Sequence, residues 1–222
     1  MKRNCVFNWL ALIVLLCGQA ALADSDTDRF HEGSQYQRID PPVPLTEHKN
    51  KVEVVEMFFY ACPHCYQLEP KLQKWLSDKP YVDFHRIPAI VGPSWADQAR
   101  AFYMIESLAK PRQMHEALFK AIHKDGLRMY NEYTVIEFFA SQGVDRQKAT
   151  DLYHSQEIAD KVSEARVMTV KYGLRGVPAV IVNGTFKTAP YFVHNQEEMI
   201  EVLDSLVDKE RAQLTAAVKT KH

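Results

Sequence analysis

The 222-residue chain predicts an α/β domain interrupted by an all-helical insertion. Three observations carry that expectation. Lys51–Tyr60 (KVEVVEMFFY) is rich in β-branched and aromatic residues and apolar on both faces, as suits a central strand covered on two sides. From about Ser94 to Tyr172 apolar residues recur at helical spacing and no strand pattern competes. Strand signals return only afterwards, at Ala179–Val182, followed by the hairpin dipeptide Asn183-Gly184.

Composition agrees with a globular chain: 46% of residues are hydrophobic and 25% are charged, which argues against wholesale disorder. With 27 Lys+Arg against 28 Asp+Glu the formal charge is −1, and nothing in it calls for nucleic acid as a partner.

At the N-terminus Lys2 and Arg3 precede an apolar run from Val6 to Leu16, and Ala21-Leu22-Ala23 is a small-x-small cleavage site. This is the layout of a signal peptide, cut after Ala23. A retained membrane anchor would need about 20 apolar residues, and lipid attachment at Cys17 is disfavoured by the large Leu16 before it. Cleavage removes Cys5 and Cys17 and leaves Cys62 and Cys65 in an exported, oxidising setting.

Asp24 to Asn50 reads as a polar arm, rich in proline at Pro41-Pro42-Val43-Pro44, with at most one short strand near Gln35–Ile39. The buried strand comes next, then Cys62-Pro63-His64-Cys65 and a helix to about Leu76. Tyr81–Ile87 is the second strand, leading into a loop with Pro88, Gly92 and Pro93. The helical block opens with Ser94 as N-cap and Asp97 at N3, and Trp95, Ala99, Phe102 and Leu108 share one side. Pro111 breaks that helix. Met114, Leu118 and Ile122 repeat every four residues, Val135 and Phe139 precede a C′ glycine at Gly143, and Ile158 to Tyr172 continue the stripe until Gly173. A return strand begins at Thr185-Phe186-Lys187. The last helix starts near Asn195 with Glu198 at N3, and the polar tail after Asp208 is expected to fray. The expected divisions are 1–23 as signal peptide, 24–93 and 173–222 as the two parts of the α/β domain, and 94–172 as the insertion. Trp75, Trp95, Phe102, Phe138 and Phe139 are assigned to core, and the histidines other than His64 are given no role.

Two residues between cysteines on a first helical turn bring the sulfurs close enough to bond. The first cysteine then sits where unpaired N–H groups and the helix dipole favour a thiolate. Pro63 suits the first helical position, which has no use for an N–H. A redox-active dithiol is the favoured reading. A structural disulfide closing so short a loop contributes little, and a metal site lacks enough partners, since no second C-x-x-C exists.

The run Glu56-Met57-Phe58-Phe59-Tyr60-Ala61-Cys62-Pro63-His64-Cys65-Tyr66 resembles the DsbA family of periplasmic thiol:disulfide oxidoreductases, within the thioredoxin superfamily. Pro63-His64 is that family's inter-cysteine dipeptide. Pro70 stands where thioredoxins carry a helix-kinking proline, and Gly176-Val177-Pro178 resembles the cis-proline loop. The resemblance implies a thioredoxin fold with an inserted all-helical domain and a protein dithiol oxidase. Cys62 would form the mixed disulfide and Cys65 would complete the exchange. His64 would tune the Cys62 thiolate, and Glu56 would relay a proton to or from Cys65. Glu56 lacks the family's lysine on the neighbouring strand, where Asp83, His85 and Arg86 are the candidates instead. Val177, before Pro178, would pair with extended substrate. The resemblance further implies no cofactor or metal, unfolded or partly folded exported polypeptides as substrates, and a quinone-linked membrane reoxidase of the DsbB type; a monomer is expected. The alternatives are a periplasmic disulfide isomerase or reductase on the same fold, disfavoured by an arm too short for a dimerisation domain, and a peptide-binding chaperone with a structural bridge.

Overall fold

The computed structural model describes residues 29–45 and 50–219. The expected signal peptide, with Cys5, Cys17 and the expected cut after Ala23, lies outside the described residues. Among those described, no helix is long and apolar enough to cross a membrane.

Five strands form one sheet in the order β1-β5-β4-β2-β3: β1 Gln37–Arg38, β2 Val52–Phe58, β3 Val82–Pro88, β4 Ala179–Val182 and β5 Phe186–Thr188. The β2–β3 pair is parallel and the other pairs are antiparallel. Every residue of β2 is buried, because the strand is central and both its faces are covered. Val52 and Val54 join Val180 and Val182 against α1 (Pro63–Leu76) and α7 (Gln196–Lys219). Val55 and Met57 join Ala179 and Ile181 in the second core, shared with the helical block. Alternation along β2 thus sends Glu56 to the same face as Val54, toward α1.

The helical block consists of α2 Ala96–Glu106, α3 Pro111–His123, α4 Glu132–Ser141, α5 Arg146–His154 and α6 Gln156–Lys171. Pro111 opens α3 at its first turn, where a missing N–H costs nothing. Lys187 of β5 is buried, and its ammonium donates to the carbonyls of Tyr172 and Gly173, fastening the end of α6 to the sheet.

Two expectations need correcting. Ser94 does not cap α2: a 3-10 turn at Pro93–Trp95 comes first, Trp95 takes the N-cap position without a side-chain cap, and the Asp97 carboxylate accepts from the Tyr153 hydroxyl instead. That turn leaves Trp95 at the rim of the core shared with the helical block, packed against it as expected. It is half-buried, stacked on Phe59 at a ring-centroid distance of 3.8 Å. The chain after Asp208 does not fray: α7 runs on to Lys219. Glu210 accepts from the Asn183 amide at 2.7 Å, Arg211 lies 3.8 Å over the Tyr81 ring, and Leu214 packs on the core.

The arm is held against β5. β1 pairs with it, Ile39 N–H donates to Thr185 O at 2.7 Å, and Val43 N–H donates to Gly184 O at 2.9 Å. The register Val182 to Phe186 leaves three residues in the connection. Asn183 (φ 47°) and Gly184 (φ 59°), both left-handed, are the central residues of a turn closed by Thr185 N–H donating to Val182 O at 2.9 Å. A Cβ on Gly184 would fall 2.2 Å from the Val43 carbonyl carbon. Gly184→Ala is therefore expected to destabilise the protein by well over ~1 kcal/mol, read as a lower urea midpoint; an unchanged midpoint would mean that the arm detaches without cost.

Candidate active site

Cys62 is the N-cap of α1, extended at φ −82° and ψ 116°, and Pro63 follows at the first helical position. Its own N–H donates to Phe59 O at 3.0 Å and its carbonyl accepts the first helical bond, from Tyr66. This places the half-buried Cys62 sulfur over the open end of the helix, while Cys65, one turn in, is fully buried. Both are free thiols. The thiol of Cys65 hydrogen-bonds the Cys62 sulfur, and this contact contributes most to stabilising the thiolate. Against the cost of burial it is joined by the N–H groups of Cys65 and His64 and the charge of His64. Together they bring Cys62 from an ordinary 9.0 to about 6. Burial, the contact with Cys62 and the charges of Cys62 and Glu56 push Cys65 well up. One cysteine is thus prepared as a nucleophile and leaving group, and the other is held as a thiol.

The His64 ring is exposed, and its carbonyl accepts from Gln196 of α7 at 2.7 Å. Val177 O lies 3.5 Å from the Cys62 sulfur, on the loop before β4, and the Val177–Pro178 bond is cis. The backbone before Cys62 is gripped from the helical block. Gln98 of α2 accepts from Ala61 N–H at 2.9 Å, and the His123 ring donates to Tyr60 O at 2.7 Å.

Behind the cysteines lies a buried charge cluster. Arg86 of β3 stands opposite Glu56 in the β2–β3 register, and its Nε donates to Glu56 Oε2 at 3.0 Å. Arg86 therefore takes the place left open for a partner of Glu56. Its Nη2 also donates to Glu69 of α1 at 2.8 Å. Glu69 accepts from Gln73 at 2.9 Å and lies 3.5 Å from Nε2 of His115, whose Nδ1 is 2.7 Å from the Tyr60 hydroxyl. The 3.5 Å approach to Glu69 is not a formed hydrogen bond, since His115 Nε2 and Glu69 Oε2 both lack a hydrogen-bond partner among the described residues, and burial lowers the proton affinity of His115. Burial raises Glu56 to about 7; Arg86 opposes this and the charge of Glu69 adds to it. Burial also works to raise Glu69, but His115, Arg86 and Gln73 prevail and hold it near 2. Arg86 and His115 line a cleft of about 400 Å³.

Sequence reasoning singled out Cys62, Pro63, His64, Cys65, Glu56, Val177 and Pro178. The sulfur of Cys62 meets Val177, and Glu56 lies on the Cys65 side of the sheet. Glu69, His115, Gln98, His123 and Gln196 were missed. Only Glu69 left a local signal, four residues after Cys65 and hence on the same helical face. Among the described residues no group of three or more metal-ligating side chains gathers.

A family model for the DSBA-like thioredoxin domain matches residues 81–204, a span that begins after the cysteines. The thiol:disulfide interchange protein DsbA of Pseudomonas aeruginosa is 34% identical over 211 residues, covering 95% of this chain and 98% of its own. That of Pseudomonas syringae pv. tomato is 32% identical over 216 residues, covering 97% and 99%. The crystal structure of Pseudomonas aeruginosa DsbA superposes with a TM-score of 0.78 at 34% identity, over 85% of this chain and 98% of that one. Reduced DsbA1 of Neisseria meningitidis gives 0.72 at 26% identity, over 84% and 98%.

Proposed function

The chain belongs to the DsbA-like thioredoxin family, and from that premise we propose how it works as a thiol:disulfide oxidoreductase that introduces disulfide bonds into exported polypeptides. The observation that carries the reading is the asymmetry of the two thiols, with Cys62 lowered to about 6 and Cys65 pushed well up. With the Cys62–Cys65 disulfide formed, a substrate thiolate attacks Cys62 sulfur. The S–S bond breaks, and Cys65 leaves with the electron pair and takes a proton, for which Glu56 is the donor. The substrate's second thiolate then attacks the substrate sulfur of the mixed disulfide, the new S–S bond closes in the substrate, and Cys62 departs as a stable thiolate. Two electrons have passed from substrate to enzyme. A carboxyl with a value of about 7 holds or releases a proton readily near neutrality. His64 lends charge and its N–H to the thiolate, and Val177 offers backbone to an extended chain beside the reacting sulfur.

At pH 7 roughly nine-tenths of Cys62 is thiolate, from its value of about 6. Ionisation stabilises the reduced protein, which makes the disulfide a strong electron acceptor. Reoxidation then needs a partner, and a quinone-linked membrane protein of the DsbB type is the reading supported by family membership. Export to the periplasm with loss of residues 1–23, a monomeric state, and the division at 94–172 belong to the same proposal.

Equilibration with glutathione buffers at pH 7, followed by alkylation of free thiols, tests the oxidase reading. The protein is expected to be mostly reduced at ratios that leave a structural disulfide intact, and its oxidised form to transfer its disulfide to a reduced, unfolded polypeptide. A disulfide that persists in excess reduced glutathione would overturn the oxidase in favour of a reductase or a structural bridge.

A further inference from the structure

The proton-handling role of Glu56, on which this inference rests, depends most on burial, which favours the protonated carboxyl; the question is why the guanidinium it touches does not undo that effect. A dedicated ion pair with arginine holds a carboxyl well below its ordinary range. Arg86, however, is divided. Its Nε goes to Glu56 and its Nη2 to Glu69, so one positive charge faces two carboxylates. The division is unequal. Glu69 has the guanidinium, the Gln73 amide and the His115 ring around it. Glu56 has Arg86 alone. One oxygen of each carboxylate, Glu56 Oε1 and Glu69 Oε2, has no hydrogen-bond partner among the described residues, so the difference between them is the Gln73 bond and the nearby His115 ring on the Glu69 side.

We propose that Glu69 is a positioning residue for the chemistry of Glu56: by occupying one side of Arg86 it denies Glu56 full charge compensation and keeps an exchangeable proton on that carboxyl. The surroundings leave few competitors for the role. The charged or titratable groups toward Glu56 are Arg86 on β3, Glu69 and Cys65 on α1, His115 on α3, Tyr60 at the end of β2, and Glu106 of α2 acting on Tyr60 and His115. Asp83 and His85 of β3 bond each other at 2.8 Å. Its β4 neighbour, Val180, is apolar. Of these groups Glu69 is the one that contacts the same guanidinium. Its own charge repels a second charge on Glu56, and its hold on Nη2 keeps Arg86 from turning wholly to Glu56. Both effects act in one direction.

The test is carbon-13 NMR titration of the full chain in the reduced state, with labelled glutamate carboxyl carbons and Glu56 assigned by its loss in Glu56→Gln. In the unsubstituted protein one carboxyl should titrate near 7 and vanish in that variant. In Glu69→Gln the same resonance should titrate about 1–2 pH units lower, because Arg86 then serves Glu56 alone. Glu69→Ala removes the same charge without placing an amide beside His115 and should give the same displacement. A Glu56 midpoint that stays in place or rises in both variants overturns the inference and leaves the role of Glu56 standing. A protein with no carboxyl titrating near neutrality overturns both.

Discussion

Cys65→Ser is expected to trap polypeptides on Cys62 as mixed disulfides, while catalytic turnover falls by on the order of 10³-fold or more. The Cys62 thiolate lies at the surface end of α1 and attacks a disulfide in an added polypeptide; one sulfur is captured and the other leaves as thiolate. In the unsubstituted protein Cys65, hydrogen-bonded to the Cys62 sulfur, attacks back and releases the polypeptide. A serine hydroxyl cannot. Non-reducing electrophoresis should show a higher-mass band that disappears with dithiothreitol. Cys62→Ser should show no adduct, because the remaining thiol is buried and its value is pushed well up. Absence of adducts in Cys65→Ser, or their appearance in Cys62→Ser, would contradict the assignment of the nucleophile.

The second large effect is on stability. Arg86→Met is expected to destabilise the fold by about 3–5 kcal/mol at neutral pH, since it strands two carboxylates in a buried site. The pH dependence should be diagnostic. Glu69 sits at about 2 in the folded protein against an ordinary 4.5, so its stabilising contribution is present above 4.5 and is lost as pH falls toward 2. Glu56 sits at about 7, above its ordinary 4.5, so the folded protein binds the extra proton and loses stability as pH rises from 4.5 to 7. Without Arg86 both carboxyls move up. The deficit of the variant should then grow with pH and shrink in acid, where both groups are neutral. Urea midpoints at pH 4.5 and pH 8 measure this, and Arg86→Lys should recover part of the loss. A small, pH-independent loss would show that the cluster carries little of the fold's stability.

The cysteine pair was legible because its chemistry is local, in the spacing along one turn. The dipeptide before β4 alone would have read as an ordinary trans proline, and Pro178 was found through the family resemblance that Cys62-Pro63-His64-Cys65 carries. The partner of Glu56 was not legible. Which of Asp83, His85 and Arg86 faces it depends on the register of a parallel pair, and register is fixed by burial across the whole sheet. Glu69 passed as an ordinary charged helical residue, since nothing nearby in the chain shows that α1 buries that face against β3. His115 lies 55 positions from Tyr60, and only closure of the insertion onto α1 joins them. Ser94 looked like an N-cap by residue type, yet the Gly92-Pro93 corner started the helix one residue later. The end of α7 looked polar and prone to fray by composition, while the contacts of Arg211 and Leu214 that hold it are tertiary.

The two-residue β1 has a consequence out of proportion to its length. An enzyme that handles unfolded chains must not offer them a free ladder of backbone groups, for an open sheet edge recruits any extended strand. β1 occupies the outer edge of β5, and on the opposite border β3 ends in Pro88 and carries the charged or polar Asp83 and His85. With both borders guarded, the function proposed above would seat a client's backbone at Val177, beside the Cys62 sulfur. Guarding against aggregation and choosing where a client docks become a single property of the fold.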